Sequence, residues 1–574
     1  MKKLPPLVKV DYISSIQDMI IQSEKKYSNK IALEDLTNTP LSALTYTELL
    51  NNILRFGNGL KNLGIPERTH IALIGENRVQ WGLAYLTLLS FNYVVVPIDK
   101  NLSPNEILNI IHESDAEAII LSESYESLIR DEISVLKKIK HCISMDVREK
   151  NDMFYSMTEM IRKAEKLSID NLPQINPNEV AEIIFTSGSL GRAKGVMLNQ
   201  QNLASNLMGM RQIILIKPED RFLSVLPIHH TYECTCGFLC PLYSGASVHY
   251  ARSLKTVVED LQKVSATILL AVPLLYDKMF KRIYKTINDD KVKSKIIKPL
   301  IKVTDVLEKV GWKDSKKKIF TEIHKKFGGS VRLFIAGGAA PDPKVAKGLG
   351  EFGFTFIQGY GLTETSPILT LNPIEFFKDD AAGIPLPGIE IKIHDKDSDG
   401  IGEVYAKGKS VMLGYYKNQQ MTDQNFDGEW FKTGDLGYID TDGFLHISGR
   451  KKNVIIANNG KNVFPEEIED ILNRSPFVME SLVYGMQDSK HDEIIAAQIV
   501  IDSEAFIEYA NKLNQQITEE LIQQTIAKVI KETNSQLTSF KQIKKFVVRQ
   551  KEFEKTTTQK IKRYLVNNDQ LVEN

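Results

Sequence analysis

Short apolar runs alternate with segments of helical periodicity through most of the first 360 residues. The runs include His70–Ile74, Tyr93–Pro97 and Ala118–Leu121, and the segments 78–90 and 104–113 repeat apolar residues at helical spacing. Near-continuous apolar strands that alternate with helices are typical of a parallel sheet covered on both faces. The pattern therefore predicts a mixed α/β fold built on parallel-sheet layers.

The alternation continues and then changes character towards the C-terminus. Up to about residue 360 it predicts further helices and strands at 200–213, 232–243, 254–263, Arg221–Leu226, Ser247–Tyr250, Thr267–Ala271, 331–336 and 354–357. After about residue 380, Gly-punctuated alternation in Ile389–His394 and Gly402–Ala406 predicts antiparallel strands and a small barrel. Past residue 453 the pattern predicts a compact α+β segment, with helices at 465–473 and 517–533 and strands at 478–485, 494–501 and 543–549.

The length, charge and cysteine content narrow the class of protein. A chain of 574 residues is too long for one hydrophobic core and predicts two to four units. Lys plus Arg equals Asp plus Glu at 72 each, so no overall field selects a nucleic-acid partner. Four cysteines cannot form a disulfide framework, and no apolar run reaches the length of a signal peptide or a membrane span. We expect a cytoplasmic protein.

Three cysteines cluster at Cys234, Cys236 and Cys240. A metal site is one hypothesis, but the spacing matches no zinc pattern and the neighbouring residues are apolar. The cluster therefore predicts small side chains that pack within one buried helix.

A stretch rich in glycine and hydroxyl groups follows the predicted strand Val180–Phe185. Its members are Thr186, Ser187, Gly188, Ser189, Gly191, Lys194 and Gly195. Glycines let backbone N–H groups approach an anion closely, hydroxyls add donors, and a lysine supplies positive charge. The stretch lacks the Gly-Lys-Ser/Thr of a Walker loop. A surface turn is the alternative, and three further stretches favour polyphosphate binding instead.

The further stretches carry the groups that a nucleotide needs. Gln358–Thr365 follows a predicted strand and offers an aromatic face (Tyr360), a hydroxyl (Thr363) and a carboxylate (Glu364). These suit adenine stacking, phosphate contact and Mg²⁺ coordination. Asp435 could accept two hydrogen bonds from a ribose diol. The last stretch comprises Gly449–Asn453 and Gly460–Glu469.

In this order and spacing the chain resembles the adenylate-forming superfamily of acyl-CoA synthetases, peptide-synthetase adenylation domains and beetle luciferases. The resemblance runs from about residue 20 to Arg563. It implies an N-terminal domain at 1–449 with a barrel-like subdomain at about 380–449, a hinge at 450–453 and a mobile C-terminal lid at 454–574. It also implies that a carboxylate attacks the α-phosphate of ATP to give an acyl-adenylate and pyrophosphate, after which CoA takes the acyl group.

The resemblance also implies individual roles. The nucleotide-binding set is Thr186, Ser187, Gly188, Ser189, Gly191 and Lys194 at the β- and γ-phosphates, Gly337, Gly338, Ala339, Gln358, Gly359 and Tyr360 near adenine, and Asp435 and Arg450 at the ribose. The catalytic set is Thr363 at the α-phosphate, Glu364 on Mg²⁺, His230 beside the carboxylate and the lysine Lys560, with Lys452 as the hinge. Four positions depart from the family pattern, which usually has threonine, proline, an acidic residue and glycine at Leu190, Ala193, Asn453 and Gln559.

Two features favour a long-chain fatty acid as the substrate. The run His229–Glu233 and a Lys-rich segment at 281–326 both resemble long-chain acyl-CoA synthetases. That segment carries 15 Lys and Arg against six Asp and Glu. This excess predicts either a solvated helical face or a surface that approaches a charged cosubstrate or the inner face of an anionic membrane. A long apolar chain gains about 0.8 kcal/mol per buried methylene, so its recognition needs a deep apolar tunnel.

The alternative functions differ in the acyl acceptor, in the carboxylic acid that is activated, and in whether the protein is an enzyme. The chain could load an acyl carrier protein instead of CoA, stop at the acyl-adenylate, or activate a medium-chain or aryl acid. A binding protein of this fold without catalysis is a further alternative, which the complete set of Thr363, Glu364, Asp435 and Lys560 disfavours.

Overall fold

The structure, a computed structural model, describes residues 7–37, 42–186, 193–288, 291–312, 314–457, 461–488, 493–556 and 560–566. The chain divides into two compact units. Unit 1 comprises Met1–Ile391, Ala406–Phe431 and Thr441–Leu445, and unit 2 comprises Lys392–Tyr405, Lys432–Asp440 and His446–Asn574. The domain boundaries and the hinge at 450–453 stay predictions.

Unit 1 contains most of the regular elements. Its first strands are β1 (Ile31–Asp35), β2 (Ala43–Thr45), β3 (His70–Ile74), β4 (Val94–Ile98), β5 (Ala118–Leu121), β6 (His141–Ser144), β7 (Phe154–Ser156) and β8 (Val180–Thr186). They are followed by β9 (Lys194–Asn199), β10 (Arg221–Ser224), β11 (Ser247–Tyr250), β12 (Ile268–Ala271), β13 (Leu333–Ala336), β14 (Thr355–Gly361), β15 (Ile368–Leu371) and β16 (Ile384–Pro385).

Most helices of this part alternate with strands, but the helices between residues 273 and 326 follow one another directly. They are α1 (Ile16–Tyr27), α2 (Tyr46–Asn62), α3 (Val79–Ser90), α4 (Pro104–Glu113), α5 (Glu126–Glu132), α6 (Met157–Lys163) and α7 (Gln200–Ile213). The later ones are α8 (Cys240–Tyr243), α9 (Val257–Val264), α10 (Pro273–Asn288), α11 (Lys291–Lys309), α12 (Ser315–Ile319), α13 (Thr321–Lys326) and α14 (Pro343–Glu351). A π-helix, Tyr232–Leu239, precedes α8.

The remaining strands and helices follow residue 388. The strands are β17 (Ile389–His394), β18 (Gly402–Gly408), β19 (Gly414–Tyr415), β20 (Phe426–Asp427), β21 (Trp430–Ile439), β22 (Leu445–Arg450), β23 (Ile455–Ile456), β24 (Asn462–Val463), β25 (Val478–Gln487), β26 (Glu493–Ile501) and β27 (Ile543–Arg549). The helices are α15 (Gln419–Asn425), α16 (Pro465–Leu472), α17 (Ser503–Leu513) and α18 (Glu519–Asn534).

Two large sheets form unit 1. One has the strand order β16-β15-β14-β13-β12-β10-β11-β1-β2 and the other β19-β9-β8-β4-β3-β5-β6-β7. The central pairs of both sheets, such as β13 with β14 and β3 with β4, are parallel. This arrangement confirms the predicted mixed α/β fold with parallel-sheet layers.

Helix α3 lies in the core that the two sheets share. All twelve of its residues are buried, and its eight apolar side chains belong to one cluster with Leu73 and Val95 of one sheet and Val248 of the other. Burial on every side explains why its sequence is apolar without a polar face. The sequence Thr45-Tyr-Thr-Glu48 has the form of a capping box and predicts a helix start there. The amphipathic helix α2 begins at this box, in which the Thr45 N–H donates to Glu48 Oε2 at 2.8 Å.

The structure contains several elements that the pattern did not predict, among them β6, β15, α6 and α14. The predicted helix at 232–243 begins as the π-helix, and Lys194–Asn199 forms an antiparallel strand that the pattern did not indicate. The Gly-punctuated segment supplies five strands, β17, β18, β20, β21 and β22, to one sheet, at the place where a small barrel is predicted.

Unit 2 contains a three-stranded sheet of β25, β26 and β27. Strand β26 pairs antiparallel with β25 and parallel with β27. Apolar residues of α16, α17 and α18 pack on it, including Ile468, Phe506 and Ile526. Helix α17 was not predicted, although Asp502 caps it by accepting from the Ala505 N–H at 3.1 Å. Among the described helices of the whole chain, none combines the length and apolar character needed to cross a bilayer.

Candidate functional site

The ends of the glycine-rich stretch lie opposite each other in unit 1. Strands β8 and β9 are antiparallel, and Thr186 of β8 is the register partner of Lys194 of β9. The predicted phosphate ligands Ser187, Gly188, Ser189 and Gly191 lie outside the described residues, as does Leu190. Their roles stay predictions, while Thr186 and Lys194 mark where the stretch begins and ends.

Tyr415 links the predicted phosphate lysine to the predicted magnesium ligand. The Lys194 Nζ lies 5.4 Å from the centre of the Tyr415 ring, within the range of a cation–π interaction. The Tyr415 hydroxyl donates to Glu364 Oε1 at 2.9 Å. Tyr415 belongs to β19, where it is the register partner of Val196 in β9. Sequence reasoning missed this tyrosine because 51 residues separate it from Glu364 and no local spacing marks it.

The predicted threonine and histidine of the reaction centre come from segments that contact each other. The hydroxyl oxygens of Thr231 and Thr363 are 3.5 Å apart, and only 9% of Thr363 is exposed. His230 precedes Thr231, and its Nδ1 lies 3.4 Å from the Tyr232 N–H that donates to it. The structure therefore brings His230 into the same neighbourhood as Thr363.

The segment 358–365 is held by main-chain contacts that demand particular residues. A Cβ on Gly361 would lie 1.8 Å from the Pro367 carbonyl oxygen, so only glycine fits there. The Asn206 side chain of α7 donates to the Ile368 carbonyl at 2.7 Å and fixes the strand that follows. The Gln358 side chain, which is buried, donates to the Asp379 carbonyl at 3.1 Å.

The predicted adenine turn emerges beside this segment. Ala336 and Gln358 are register partners in parallel strands, so the turn Gly337–Ala339 begins where β13 ends, beside the last residues of β14, Gly359–Gly361, which pair with β15. The carboxyl ends of parallel strands are where open α/β sheets bind ligands. A Cβ on Gly337 would lie 2.5 Å from the ring of Tyr232, which shows how closely the turn approaches the π-helix.

An almost entirely apolar cavity of about 30 Å³ lies beside Ala336 and Gly359. Its wall is formed by α7, the π-helix, α8 and the neighbouring strands, and includes Met210, Phe222, Tyr232, Cys236, Gly359 and Leu371. Cys236 and Cys240 both line it, and all four cysteines of the chain are free thiols. Burial raises the pKa of the Cys240 thiol to about 12, so it remains protonated. This agrees with the prediction of small buried side chains.

The π-helix also buries a carboxyl group. Only 1% of Glu233 is exposed, and burial raises the pKa of its side chain to about 8. The nearby Ser224 hydroxyl lowers this pKa, but by less than burial raises it. A Cβ on Gly237 would lie 2.7 Å from this carboxyl group, so glycine makes the room for it. Glu182 of β8 is buried to the same extent, and burial likewise raises its pKa to about 8.

The predicted ribose ligands form an ion pair in unit 2. Arg450 Nε lies 2.7 Å from Asp435 Oδ1, and Asp435 is 4% exposed. The Asp435 N–H donates to the Thr433 hydroxyl at 3.1 Å, and that hydroxyl donates to the Val404 carbonyl at 2.7 Å. These contacts fix the orientation of the carboxylate.

Lys560 and Lys452 are both exposed in unit 2. The Thr556 N–H donates to the Lys560 carbonyl at 2.7 Å, and the Lys560 N–H donates to the Thr556 hydroxyl at 3.1 Å. Gln559 lies outside the described residues. Lys452 lies in a 3₁₀ turn, where the adjacent Asn453 donates to Glu466 Oε1 at 2.6 Å. An acidic residue at 453 would face Glu466, so asparagine suits this position.

The buried carboxyl of Glu233 predicts a pH-dependent stability. Its pKa is about 8 in the folded protein and near 4.5 when exposed, so folding takes up a proton between these values. The contribution of Glu233 to the free energy of unfolding is fully present below pH 4.5 and is lost as the pH rises towards 8. We expect Glu233→Gln to remove this dependence, which thermal melts of both proteins between pH 5 and 9 would measure.

The wild type should lose stability relative to Glu233→Gln at up to about 1.4 kcal/mol per pH unit, with no further change above pH 8. Glu322→Gln is the matched control because the Glu322 side chain is 85% exposed. A constant difference between wild type and Glu233→Gln across this range would contradict the assignment.

Two family models and several known proteins match the sequence. A family model described as AMP-binding enzyme matches residues 21–416, and one described as AMP-binding enzyme C-terminal domain matches residues 467–560. The chain is 25% identical over 587 residues to the long-chain-fatty-acid–CoA ligase FadD15 of Mycobacterium bovis, covering 96% of this chain and 95% of that protein. It is 27% identical to the long-chain-fatty-acid–[acyl-carrier-protein] ligase AEE15 of Arabidopsis thaliana, covering 84% and 76%.

Solved structures show the same fold. The anthranilate CoA ligase AuaEII in complex with anthranoyl-AMP aligns with a TM-score of 0.77 at 22% identity, over 98% of this chain and 97% of that one. The o-succinylbenzoate CoA synthetase MenE of Bacillus subtilis, in complex with ATP and magnesium ion, aligns with a TM-score of 0.72 at 22% identity, over 95% and 98%. Because the first family model alone spans more than two thirds of the sequence, the chain belongs to the AMP-binding enzymes, the ATP-dependent adenylate-forming ligases.

Proposed function

We propose that the protein activates a long-chain fatty acid with ATP and transfers the acyl group to CoA. In the first step a carboxylate oxygen attacks the α-phosphate and pyrophosphate leaves. In the second the CoA thiol, having lost its proton, attacks the acyl carbon and AMP leaves. The apolar cavity beside Gly359 and the turn after Ala336 is the observation that supports a long-chain acid as the substrate.

The cavity suits an alkyl chain better than a polar or charged acid. Its lining offers thioether, thiol, aliphatic and aromatic groups, and a methylene gains about 0.8 kcal/mol when it leaves water for such surroundings. Each two-carbon extension would then improve kcat/KM about tenfold until the chain fills the space. A volume of about 30 Å³ is too small for a whole chain, so side chains must move, and Met210 is flexible enough to do so.

The groups at the sheet edge would hold the nucleotide. Lys194 would neutralise the β- and γ-phosphates together with the hydroxyls of its stretch, and Thr363 would donate to the α-phosphate. Tyr360 and the turn Gly337–Ala339 would enclose adenine. His230 would lie beside the incoming carboxylate, because Thr231 places it close to Thr363.

Glu364 fits a magnesium ligand by the chemistry of its neighbours. Mg²⁺ prefers hard oxygen ligands and is usually bound by one or two carboxylates together with substrate phosphates. Glu364 offers its carboxylate beside the Thr363 hydroxyl, and Tyr415 orients it through a 2.9 Å hydrogen bond. When bound, the ion would offset the charge that two anions bring together in the first step.

Unit 2 would supply the remaining contacts. Asp435, oriented by Arg450, would accept hydrogen bonds from the ribose hydroxyls. Lys560 would bring its positive charge close to the carboxylate and the α-phosphate while the bond between them forms. If unit 2 turns about Lys452 after the first step, Lys560 leaves and CoA can enter.

A carrier protein in place of CoA is the second candidate. Its support is the similarity to AEE15, which is named an acyl-carrier-protein ligase. Both candidates share the first step and differ only in which thiol accepts the acyl group.

A pyrophosphate-release assay over acids from acetate to C18 and over aryl acids tests the proposal. We expect activity to rise with chain length and turnover to require CoA. Cys236→Phe should fill the cavity and lower kcat/KM for a C16 acid at least tenfold while sparing short acids. Cys236→Ala, which only enlarges the cavity, is the control. Release with aryl or short acids alone, unchanged by Cys236→Phe, would contradict the long-chain assignment.

Tyr415→Phe tests the link between Lys194 and Glu364. It keeps the ring and removes the hydrogen bond to a carboxylate, which is worth about 1.5–3 kcal/mol. We expect kcat/KM for ATP to fall tenfold or more and the Mg²⁺ requirement to rise. Tyr416→Phe removes a similar bond, 2.6 Å to Asp115, and should leave both values unchanged. Equal effects of the two substitutions would rule out a positioning role for Tyr415.

Lys560→Ala should separate the two half-reactions. Adenylate formation should fall at least about a hundredfold, because charge at the reacting phosphate is lost. Thioester formation from supplied acyl-adenylate and CoA should stay within a few fold of wild type. Lys551→Ala, at another exposed lysine, is the control. Equal loss in both half-reactions would reject the role of Lys560.

A further inference from the structure

Helix α11 exposes a continuous line of apolar side chains. The line consists of Ile296, Pro299, Val303, Val306, Val310 and Trp312, which we call the α11 face. Its first five members follow one another at steps of three or four residues, so they lie along one side of the helix. Val310 continues the helical turn through its N–H, which donates to the Val306 carbonyl at 3.1 Å. Val310 is 71% exposed and Trp312 is 66% exposed.

The opposite side of the same helix is firmly packed. Ile301 is buried in an apolar cluster with Ile283 and Ile287 of α10, and Thr304 is fully buried. The turn after the helix is held by Lys316, whose Nζ lies 2.9 Å from Asp305 and 3.2 Å from Glu308. The α11 face is therefore the outward side of a packed helix and contributes little to the core.

Lysines flank the α11 face along one edge. Lys295, Lys298, Lys302 and Lys309 are all exposed, and helical geometry places them beside the apolar line. An exposed apolar line next to a row of lysines is the pattern of a helix that lies in a membrane interface. Each lysine near an anionic bilayer surface contributes about 1 kcal/mol of attraction. Protein interfaces, in contrast, are depleted in lysine.

We propose that the α11 face lies on an anionic lipid bilayer. The valines would enter the boundary between headgroups and acyl chains, Trp312 would lie at the headgroup level, and the lysines would reach the lipid phosphates. The proposed membrane contact does not depend on which acid the enzyme activates. If the proposed long-chain substrate is correct, the contact would also hold the enzyme where such acids dissolve.

Flotation with vesicles of phosphatidylcholine, with and without phosphatidylglycerol, tests the contact in the absence of any substrate. We expect the full-length protein to float with the anionic vesicles, and less so as salt is raised. Val303→Glu with Val306→Glu should weaken binding at least tenfold. Lys298→Glu with Lys302→Glu should weaken it and flatten the salt dependence.

Val135→Glu with Lys137→Glu is the matched control, because both positions are exposed and lie far along the chain from α11. It should float like the wild type. All variants should keep the wild-type melting temperature and the wild-type rate of pyrophosphate release with a water-soluble acid, which shows that they are folded.

Tryptophan emission gives an independent readout. The chain has three tryptophans, of which Trp81 is fully buried, so we expect a blue shift on anionic vesicles that Trp312→Phe removes. Absence of flotation, flotation unaffected by either pair of substitutions, or an unshifted emission would overturn the proposal. It would equally be overturned if gel filtration showed a dimer that the valine substitutions dissociate, since the α11 face would then contact a second copy.

Discussion

The parallel pairing of β13 with β14 is the constraint on which the unit 1 site depends. It places the turn after Ala336 beside Gly359–Gly361 of β14, although Ala336 and its partner Gln358 are 22 positions apart in the sequence. Tyr232 packs against Gly337 there. The contact of Thr231 with Thr363 brings the preceding residue, His230, close to Thr363. Lys194 and Glu364 then meet through Tyr415. The link between Lys194 and Glu364 depends in addition on the antiparallel pairing of β19, which contains Tyr415, with β9.

The chemistry proposed for this site explains the contrast between its polar and apolar parts. Lys194 and Glu364, which both contact Tyr415, and the neighbouring Thr363 are groups suited to phosphate and its metal ion. The wall of the cavity beside Ala336 and Gly359 is apolar, and its thiols stay protonated. An acid with a charged head and an alkyl tail matches this change from polar to apolar surroundings. Asp435, Arg450 and Lys560 belong to unit 2, so the proposed reaction divides its charges between a larger and a smaller unit.

Much of the fold could be predicted because its elements are locally determined. Strand β5 and helix α4 have the predicted bounds, and the Thr45 capping box forms as expected. The antiparallel strand β9 was missed, because its pairing with β8 depends on tertiary contacts that the local sequence pattern does not show. The π-helix was missed because its hydrogen bonds give no different apolar spacing over so short a length. Tyr415 could not be found at all, because only the pairing of β19 with β9 brings it to Glu364.

The central claim is that the acid's own oxygen attacks the α-phosphate of ATP. The most direct measurement is turnover with a long-chain acid labelled with oxygen-18 in its carboxylate, followed by mass spectrometry of the products. The account predicts one labelled oxygen in AMP and none in pyrophosphate. Label in orthophosphate with formation of ADP, or AMP without label, would contradict it.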